Sequence, residues 1–407
     1  MTNDLIENLI NEKSKPFDSK KNDTAIILAA GHGKRIKSNK SKMLHEIWGK
    51  PTVIRVAEAV NKTFDGNANT IVVVGVKAES VIDAVSQNMD LTFALQAEQN
   101  GTGHAVQVAL DKINDKDYSG NIYVLPGDMG LIDSNSLNDF KVSFLDSDCD
   151  MMVLTGIFEG KPEENAYGRI IRVPETDVDG KTSGEDFGKV IEIKEHKDIV
   201  NMSDNELYVT SYKGRKYSFL KSELIYNNEF NSGVFAYKYE YLQKYISEIK
   251  SNNVQKEIYL TDLISLFNAN GLKVGAVAPK DQYVIMGFNN KSVLREMNDI
   301  ARDLIYNSLK DIITIEDPGD FFIANEVAEN LLARDSKGEI LDIKIGRGAF
   351  IDSEVNLGAN IEIGKDVKIR GKVDIGNNSV IGDFSIINGE IKLPECSVIE
   401  PFSVTTG

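Results

Sequence analysis

The chain has 407 residues, a formal charge of −16, and 42% hydrophobic with 27% charged residues, ordinary for a globular protein of two or three domains. Such acidity excludes an extended nucleic-acid surface, which needs clustered Lys and Arg. Two remote cysteines, Cys149 and Cys396, exclude a disulfide framework or structural zinc site, and no apolar run is long enough to cross a bilayer, so a cytoplasmic protein without membrane contact is expected.

Residues 1–23 are polar and acidic where a signal peptide would be basic and then apolar, so they read as an N-terminal extension, a short amphipathic helix plus a linker with no chemistry of its own. From residue 24 short apolar runs alternate with helical ones: TAIILAA, a helical stretch near 51–62, TIVVVGV, VIDAVSQ, LTFAL, HAVQVALDKI and NIYVLPGD. This alternation predicts an α/β, Rossmann-like domain over 24–290, a mostly parallel sheet with helices on both faces and ligands at the carboxyl ends of its strands. Within it, 151–290 is less regular, with hairpin-like segments and a polar stretch over 200–229 before NSGVFAYK resumes a strand. A helical linker is expected over 291–340.

Over 341–407 an aliphatic residue recurs every sixth position, from Ile345, Ile351 and Leu357 through to Leu393 and Ile399. Six residues of helix turn through about 600°, which would scatter these side chains around the surface. The period fits a short left-handed β-helix of hexapeptide repeats, with three hexads to a coil and roughly three coils.

Directly after the first strand comes Leu28-Ala29-Ala30-Gly31-His32-Gly33-Lys34-Arg35, followed by Lys42-Met43-Leu44-His45. Glycines here let backbone amides approach phosphate oxygens, and Arg35 and Lys42 can neutralise the charge that builds on a triphosphate. The dinucleotide fingerprint and the P-loop are both absent.

The stretch LAAGHGKRIKSNKSKMLHEIWGKP resembles the nucleotide-binding signature of sugar nucleotidyltransferases, with Lys34 in place of Thr and Ser41 in place of Pro. The segments LQAEQNGTGHA, PGD, AYGRI, EHKD, NSG, EIYLTD and GFNN follow in order. Together they are similar to the N-acetylglucosamine-1-phosphate uridyltransferases, the amino-terminal half of a bifunctional enzyme, over roughly residues 24–400. The resemblance implies Mg²⁺-assisted, in-line uridylyl transfer from UTP to N-acetylglucosamine 1-phosphate, a step toward cell-wall precursors.

It further implies a role for each matching residue. Arg35 and Lys42 are the catalytic cations. Leu28, Ala29, Ala30, Gly31 and Gly33 hold the nucleotide, with Gln96, Gly101 and Thr102 reading the uracil. Gly168, Glu195 and Asn231 line the sugar pocket, and Asp128 and Asn289 hold Mg²⁺. Pro126 stands where the family has Tyr. The four histidines, His32, His45, His104 and His196, suit packing or supporting roles, since an anionic nucleophile needs no general base. Thr261 and Asp262 read equally well as a helix N-cap.

In the bifunctional family the solenoid continues and carries an acetyltransferase with a catalytic His, whereas no histidine follows His196 here. Acetyl transfer is therefore expected to be absent, with the coils serving as scaffold and as the contact for a homotrimer. Two alternatives stand beside this reading: a uridylyl- or thymidylyltransferase for another sugar 1-phosphate, and a non-catalytic sugar-nucleotide-binding subunit.

Overall fold

The computed structural model describes residues 2–31, 33–87 and 89–407. The chain divides into two compact units, one of residues 1–45 and 51–291, the other of residues 46–50 and 292–407.

In the first unit, α1 (Asn3–Lys13) leads into β1 (Asp23–Leu28). After the pair β2 (Glu46–Ile47) and β3 (Lys50–Pro51), whose residues 46–50 belong to the second unit, come α2 (Thr52–Thr63), β4 (Ala68–Val74), α3 (Ala78–Val85) and β5 (Thr92–Leu95). Then come α4 (Thr102–Leu110), β6 (Asn121–Pro126), α5 (Ser134–Asp146) and β7 (Met151–Ile157). The less regular part contains β8 (Arg169–Arg172), β9 (Val190–Lys194), α6 (His196–Asn201), β10 (Leu207–Tyr212), β11 (Arg215–Leu220) and α7 (Lys221–Tyr226). The elements β12 (Glu229–Lys238), α8 (Tyr239–Tyr245), α9 (Leu263–Ala269) and β13 (Val274–Val277) complete it.

The main sheet runs β13-β7-β12-β6-β1-β4-β5. It is parallel from β6 through β1 and β4 to β5, and parallel again between β7 and β13. β12, wedged between β6 and β7, runs against both, and the β8–β9 hairpin joins the same sheet antiparallel beside β12. The central strands read as unbroken apolar runs because both faces are covered: Ile26, Ile27, Val72 and Val73 are all 0% exposed. One face packs on α2, α3 and α5 through Val56, Val60, Val81 and Phe140, and Ile10 of α1 joins that core. The other packs on α4, α8 and α9 through Val106, Leu242 and Phe267.

The polar stretch over 200–229 is ordered as the antiparallel hairpin β10–β11 followed by α7. Tyr212, Tyr217 and Leu224 close a small core of their own over Ile171 and Ile191 of the β8–β9 hairpin. Alternation is legible only faintly there because both strands of β10–β11 are half in solvent.

The second unit contains α10 (Lys291–Leu309), β14 (Thr314–Ile315), β15 (Phe322–Ile323) and α11 (Asn325–Asp335). Its repeats are the strands β16 (Ile343–Ile345), β17 (Phe350–Ile351), β18 (Val355–Leu357), β19 (Ile361–Ile363), β20 (Lys368–Arg370) and β21 (Val373–Ile375). They continue as β22 (Val380–Ile381), β23 (Ile386–Asn388), β24 (Ile391–Leu393), β25 (Val398–Ile399) and β26 (Val404–Thr406). Every third strand stacks in parallel, giving three sheets, β14-β16-β19-β22-β25, β15-β17-β20-β23-β26 and β18-β21-β24, the walls of a left-handed β-helix. The six-residue aliphatics point inward: Ile345, Ile351, Ile369 and Ile387 are 0% exposed.

The parallel ladders begin at Thr314, inside the span expected to be helical linker. Ile315 pairs with Ile345, thirty positions on, because α11 is inserted between the first strands and the next coil. That insertion breaks the period and hides the first coil from a search for sixfold spacing.

Candidate active site

The site is built at the carboxyl ends of β1, β4, β5 and β6, where parallel strands release their loops on one side of the sheet. Leu28 ends β1, and its carbonyl accepts from the Gly127 N–H at 2.9 Å, which ties the glycine loop to the PGD turn carrying Asp128. Ala29 and Ala30 are buried, and the Ala29 N–H donates to the Val73 carbonyl at 2.9 Å. Gly33 adopts φ +58, and a Cβ there would lie 2.6 Å from the Lys42 Cβ. Only glycine leaves room for the lysine stem to pass.

Lys42 is the centre of the cluster. Its ammonium is paired with the Asp128 carboxylate and donates to the Asn289 Oδ1 at 3.2 Å, across 247 residues of sequence. It also lies 5.3 Å from the Phe288 ring centroid, on whose edge His45 packs. A carboxylate and an amide oxygen thus converge on one positive charge, and the ammonium marks the point. Among the described residues no group of three His, Cys, Asp or Glu could hold a metal. A two-donor set of this kind suits a hard cation that takes its other ligands from phosphate and water. Arg35 is exposed on the turn Lys34–Ile36, and Gly31 is exposed in the loop before it. His32 lies outside the described residues.

Gln96 follows β5 and is 4% exposed. Its Nε2 donates to the Gly101 carbonyl at 2.9 Å, and the His104 Nδ1 lies 3.4 Å away, so the histidine supports the glutamine. Gly101, at φ +104, passes so close to Ile258 that a Cβ would meet its carbonyl at 2.5 Å. Thr102, at the start of α4, accepts at its Oγ1 from the Leu260 N–H at 3.1 Å. The segment 257–262 is thereby docked on the loop of Gly101 and Thr102.

Gly168, Glu195 and Asn231, expected to line a sugar pocket, also meet. The Asn231 N–H donates to the Gly168 carbonyl at 2.9 Å, and a Cβ on Gly168 would lie 3.2 Å from both oxygens of Glu195. The register of β12 slips between Asn231 and Val234, a bulge in which the Asn231 Oδ1 accepts from the Gly233 N–H at 2.8 Å. Bulges of this kind re-aim side chains beside ligand sites. Pro126 packs under the bulge, 2.9 Å from where a Gly233 Cβ would stand.

Glu195 as a whole residue is half-buried, but its carboxylate is wedged between Gly168 and Thr261, whose Oγ1 donates to Oε1 at 3.4 Å. The packing of the carboxylate decides its chemistry. Burial pushes it up to about 7, against the hydrogen bond from Thr261 and with help from Asp198, Asp262 and Glu257. Burial likewise pushes Asp262 up to about 6. Asp262 makes no side-chain cap on α9, and Thr261 is 5% exposed with its hydroxyl turned to Glu195. Of the two roles open to Thr261, the side-chain cap is not seen and the contact with Glu195 is.

Three further residues shape the site without having been singled out. Arg169 is 0% exposed and donates to the backbone carbonyls of Asn165, at 2.8 Å, and Tyr167, clamping the loop that presents Gly168. Burial lowers its pKa, and burial followed by the Arg169 charge lowers that of His196. A Cβ on Gly287 would stand 3.2 Å from the Asp128 Oδ2, and one on Gly75 would stand 2.8 Å from the Ala30 Cβ. Gly287 opens the GFNN segment, and Gly75 follows a short apolar run, the signals the sequence offers for them.

A MobA-like NTP transferase domain matches residues 25–165. The chain is 33% identical to the bifunctional protein GlmU of Acetivibrio thermocellus over 304 residues, 74% of this chain and 57% of that protein. It is 30% identical to the bifunctional protein GlmU of Clostridium beijerinckii, over 83% of this chain and 69% of that protein. The chain spans little more than half the length of the first of these relatives. Among the described residues no helix is long and apolar enough to cross a membrane. With its nucleotide loop, its Lys42 cluster and this extent of identity, the chain belongs to the GlmU family of bifunctional proteins.

Proposed function

We propose that the protein is a sugar-1-phosphate nucleotidyltransferase that transfers uridylyl from UTP to N-acetylglucosamine 1-phosphate. The observation that carries this reading is the convergence of Lys42 on Asp128 and Asn289 at the strand ends, next to a nucleotide-type glycine loop. A phosphate oxygen of the sugar phosphate attacks the α-phosphorus, a new P–O bond forms, the α–β bond breaks, and pyrophosphate leaves in line. No covalent intermediate and no general base are needed, because the nucleophile is already an anion.

Lys42 and Arg35 neutralise charge on the triphosphate as it builds on the leaving oxygens. The backbone of Leu28–Gly31 and Gly33 lies along the phosphates, and Gln96, Gly101 and Thr102 face the base. Glu195 and Asn231 accept and donate to sugar hydroxyls, and Gly168, with no side chain to intrude, borders the N-acetyl arm. Asp128 and Asn289 are the residues that would hold Mg²⁺, which when bound supplies charge neutralisation to the phosphates of both substrates.

The coils described here carry no histidine, and the reading assigns them a scaffold role without acetyl transfer. It includes homotrimer formation through the β-helix, where Val398, Phe402 and Val404 are exposed. The test is pyrophosphate release with Mg²⁺, UTP and N-acetylglucosamine 1-phosphate, beside glucose 1-phosphate and dTTP. Turnover confined to UTP and the N-acetylated sugar is the expected result. Preference for another sugar or base moves the function within the fold, and no turnover with any pair leaves a binding subunit.

A further inference from the structure

Helix α1 is bolted to the edge of the sheet beside the nucleotide loops. Ile10 is buried in the core, the Ser14 Oγ accepts from the Phe93 N–H at 3.0 Å, and the Lys15 N–H donates to the Leu91 carbonyl at 2.8 Å. Asp18 and Asn69 exchange two hydrogen bonds of 2.9 Å. These anchors all lie in the last turn of the helix or after it. Ahead of them Ile6 and Leu9 pack, partly buried, against the same core, and the rest of the first two turns faces something else.

What they face is a cavity of about 270 Å³ at the ends of β4 and β5. Asn3 and Ile6 line it from α1, and Gly75, Leu95, Gln96 and Gln99 line it from the sheet. Gly75 is pressed against the glycine loop, and its missing Cβ would stand 2.9 Å from the Gln99 Nε2. Lys77 of the same cavity donates to the Asn39 carbonyl, which joins this wall to the loop after Arg35. Ile6 is only partly buried, packing on the core with one side and lining the cavity with the other, and Asn3 is exposed.

We propose that α1 is the outer wall of the base pocket and that Asn3 and Ile6 are specificity-determining residues. The inference rests on the reading of Gln96 and the strand ends as the base site. Ile6 offers an apolar face to the pyrimidine ring, and the Asn3 amide offers a donor and an acceptor to its edge. Polar groups that match one base and are left unpaired by another are how a small pocket discriminates between them.

The experiment titrates UTP and CTP, in separate runs with Mg²⁺, into the full chain and into three variants: N3A/I6A, Asn3→Asp and Gln96→Ala. The double variant keeps Ile10 and Ser14, and Asn3→Asp alters an exposed amide alone, so the fold is not at risk in both. The expected result is UTP affinity about tenfold weaker in N3A/I6A, with a smaller loss in Asn3→Asp, and a narrowed preference for UTP over CTP in both. The thermal midpoint of Asn3→Asp stays unchanged. If Gln96→Ala weakens UTP while both α1 variants bind as the wild type does, within twofold, the inference falls and the base site stands. If Gln96→Ala also changes nothing, the base-site reading falls and takes the inference with it.

Discussion

The β-helix and the cleft at the strand ends are built on opposite principles of sequence. In the β-helix a residue meets its own equivalent one coil on: Lys344 pairs with Glu362 and Lys372 with Glu390, each across 18 residues. In the cleft Lys42 meets Asp128 and Asn289 across 86 and 247 residues. A repeat therefore states its structure locally and many times, so that the chemistry of any one rung is nearly redundant. The cleft states its chemistry once, in loops that only the sheet topology assembles.

Substitution is expected to separate the two. Asp128→Ala leaves the Lys42 ammonium without its carboxylate and removes one of two oxygen donors, so pyrophosphate release falls by about 10³-fold while the unfolding transition moves little. Ile369→Ala does the reverse. The residue is 0% exposed on the β-helix axis, and its loss costs about 2–5 kcal/mol, read as an earlier denaturant midpoint, with turnover in the folded state unchanged. Loss of turnover on Ile369→Ala without loss of stability would break the comparison.

The same contrast sets what could be read from sequence. The inward aliphatics of the β-helix were legible from Ile345 onward because the sixfold period is unbroken there. The coil beginning at Thr314 was not, since α11 separates Ile315 from its partner Ile345. In the cleft, the motif residues Lys42, Asp128 and Asn289 were legible one by one through their family resemblance. Their mutual bonding was not, because no local pattern encodes a contact across 247 residues. Arg169 was hidden for another reason. It lies inside the AYGRI segment with no role of its own, and only the burial of its guanidinium against two backbone carbonyls shows it to be a clamp.

Glycine substitutions sharpen the comparison at smaller scale. Gly33→Ala forces a Cβ into the Lys42 stem at a backbone angle of φ +58, so Lys42 is displaced and kcat falls roughly tenfold. Unchanged kcat would show that the loop has more freedom than its geometry suggests. Gly180, with φ +75 and nothing within 4 Å of its absent Cβ, is the control, since Gly180→Ala carries only the backbone strain of about 1 kcal/mol.

The smallest expected effect is on pH, and it separates binding from stability within one residue. Burial pushes the Glu195 carboxyl from the ordinary 4.5 up to about 7, so near neutral pH it is partly protonated in the folded protein. Its contribution to folding is fully present below pH 4.5 and is lost as pH rises through about 7, because the folded form holds its proton longer than the unfolded one. Asp262, raised to about 6, adds to the loss at the lower end of the same window. The role proposed for Glu195 toward a sugar hydroxyl runs the other way, because a carboxylate accepts more strongly than a neutral acid. Raising the pH from 6 to 8 is therefore expected to lower the KM for the sugar 1-phosphate several-fold and to lower the thermal midpoint together. Glu195→Gln flattens the KM profile and removes most of the loss of midpoint, with Asp262 supplying what remains. A wild-type KM profile no steeper than that of Glu195→Gln would show that Glu195 shapes the pocket without binding the sugar through its charge. The exposed rungs, such as Lys372 with Glu390, offer no such window, since solvent and salt screen pairs of this kind.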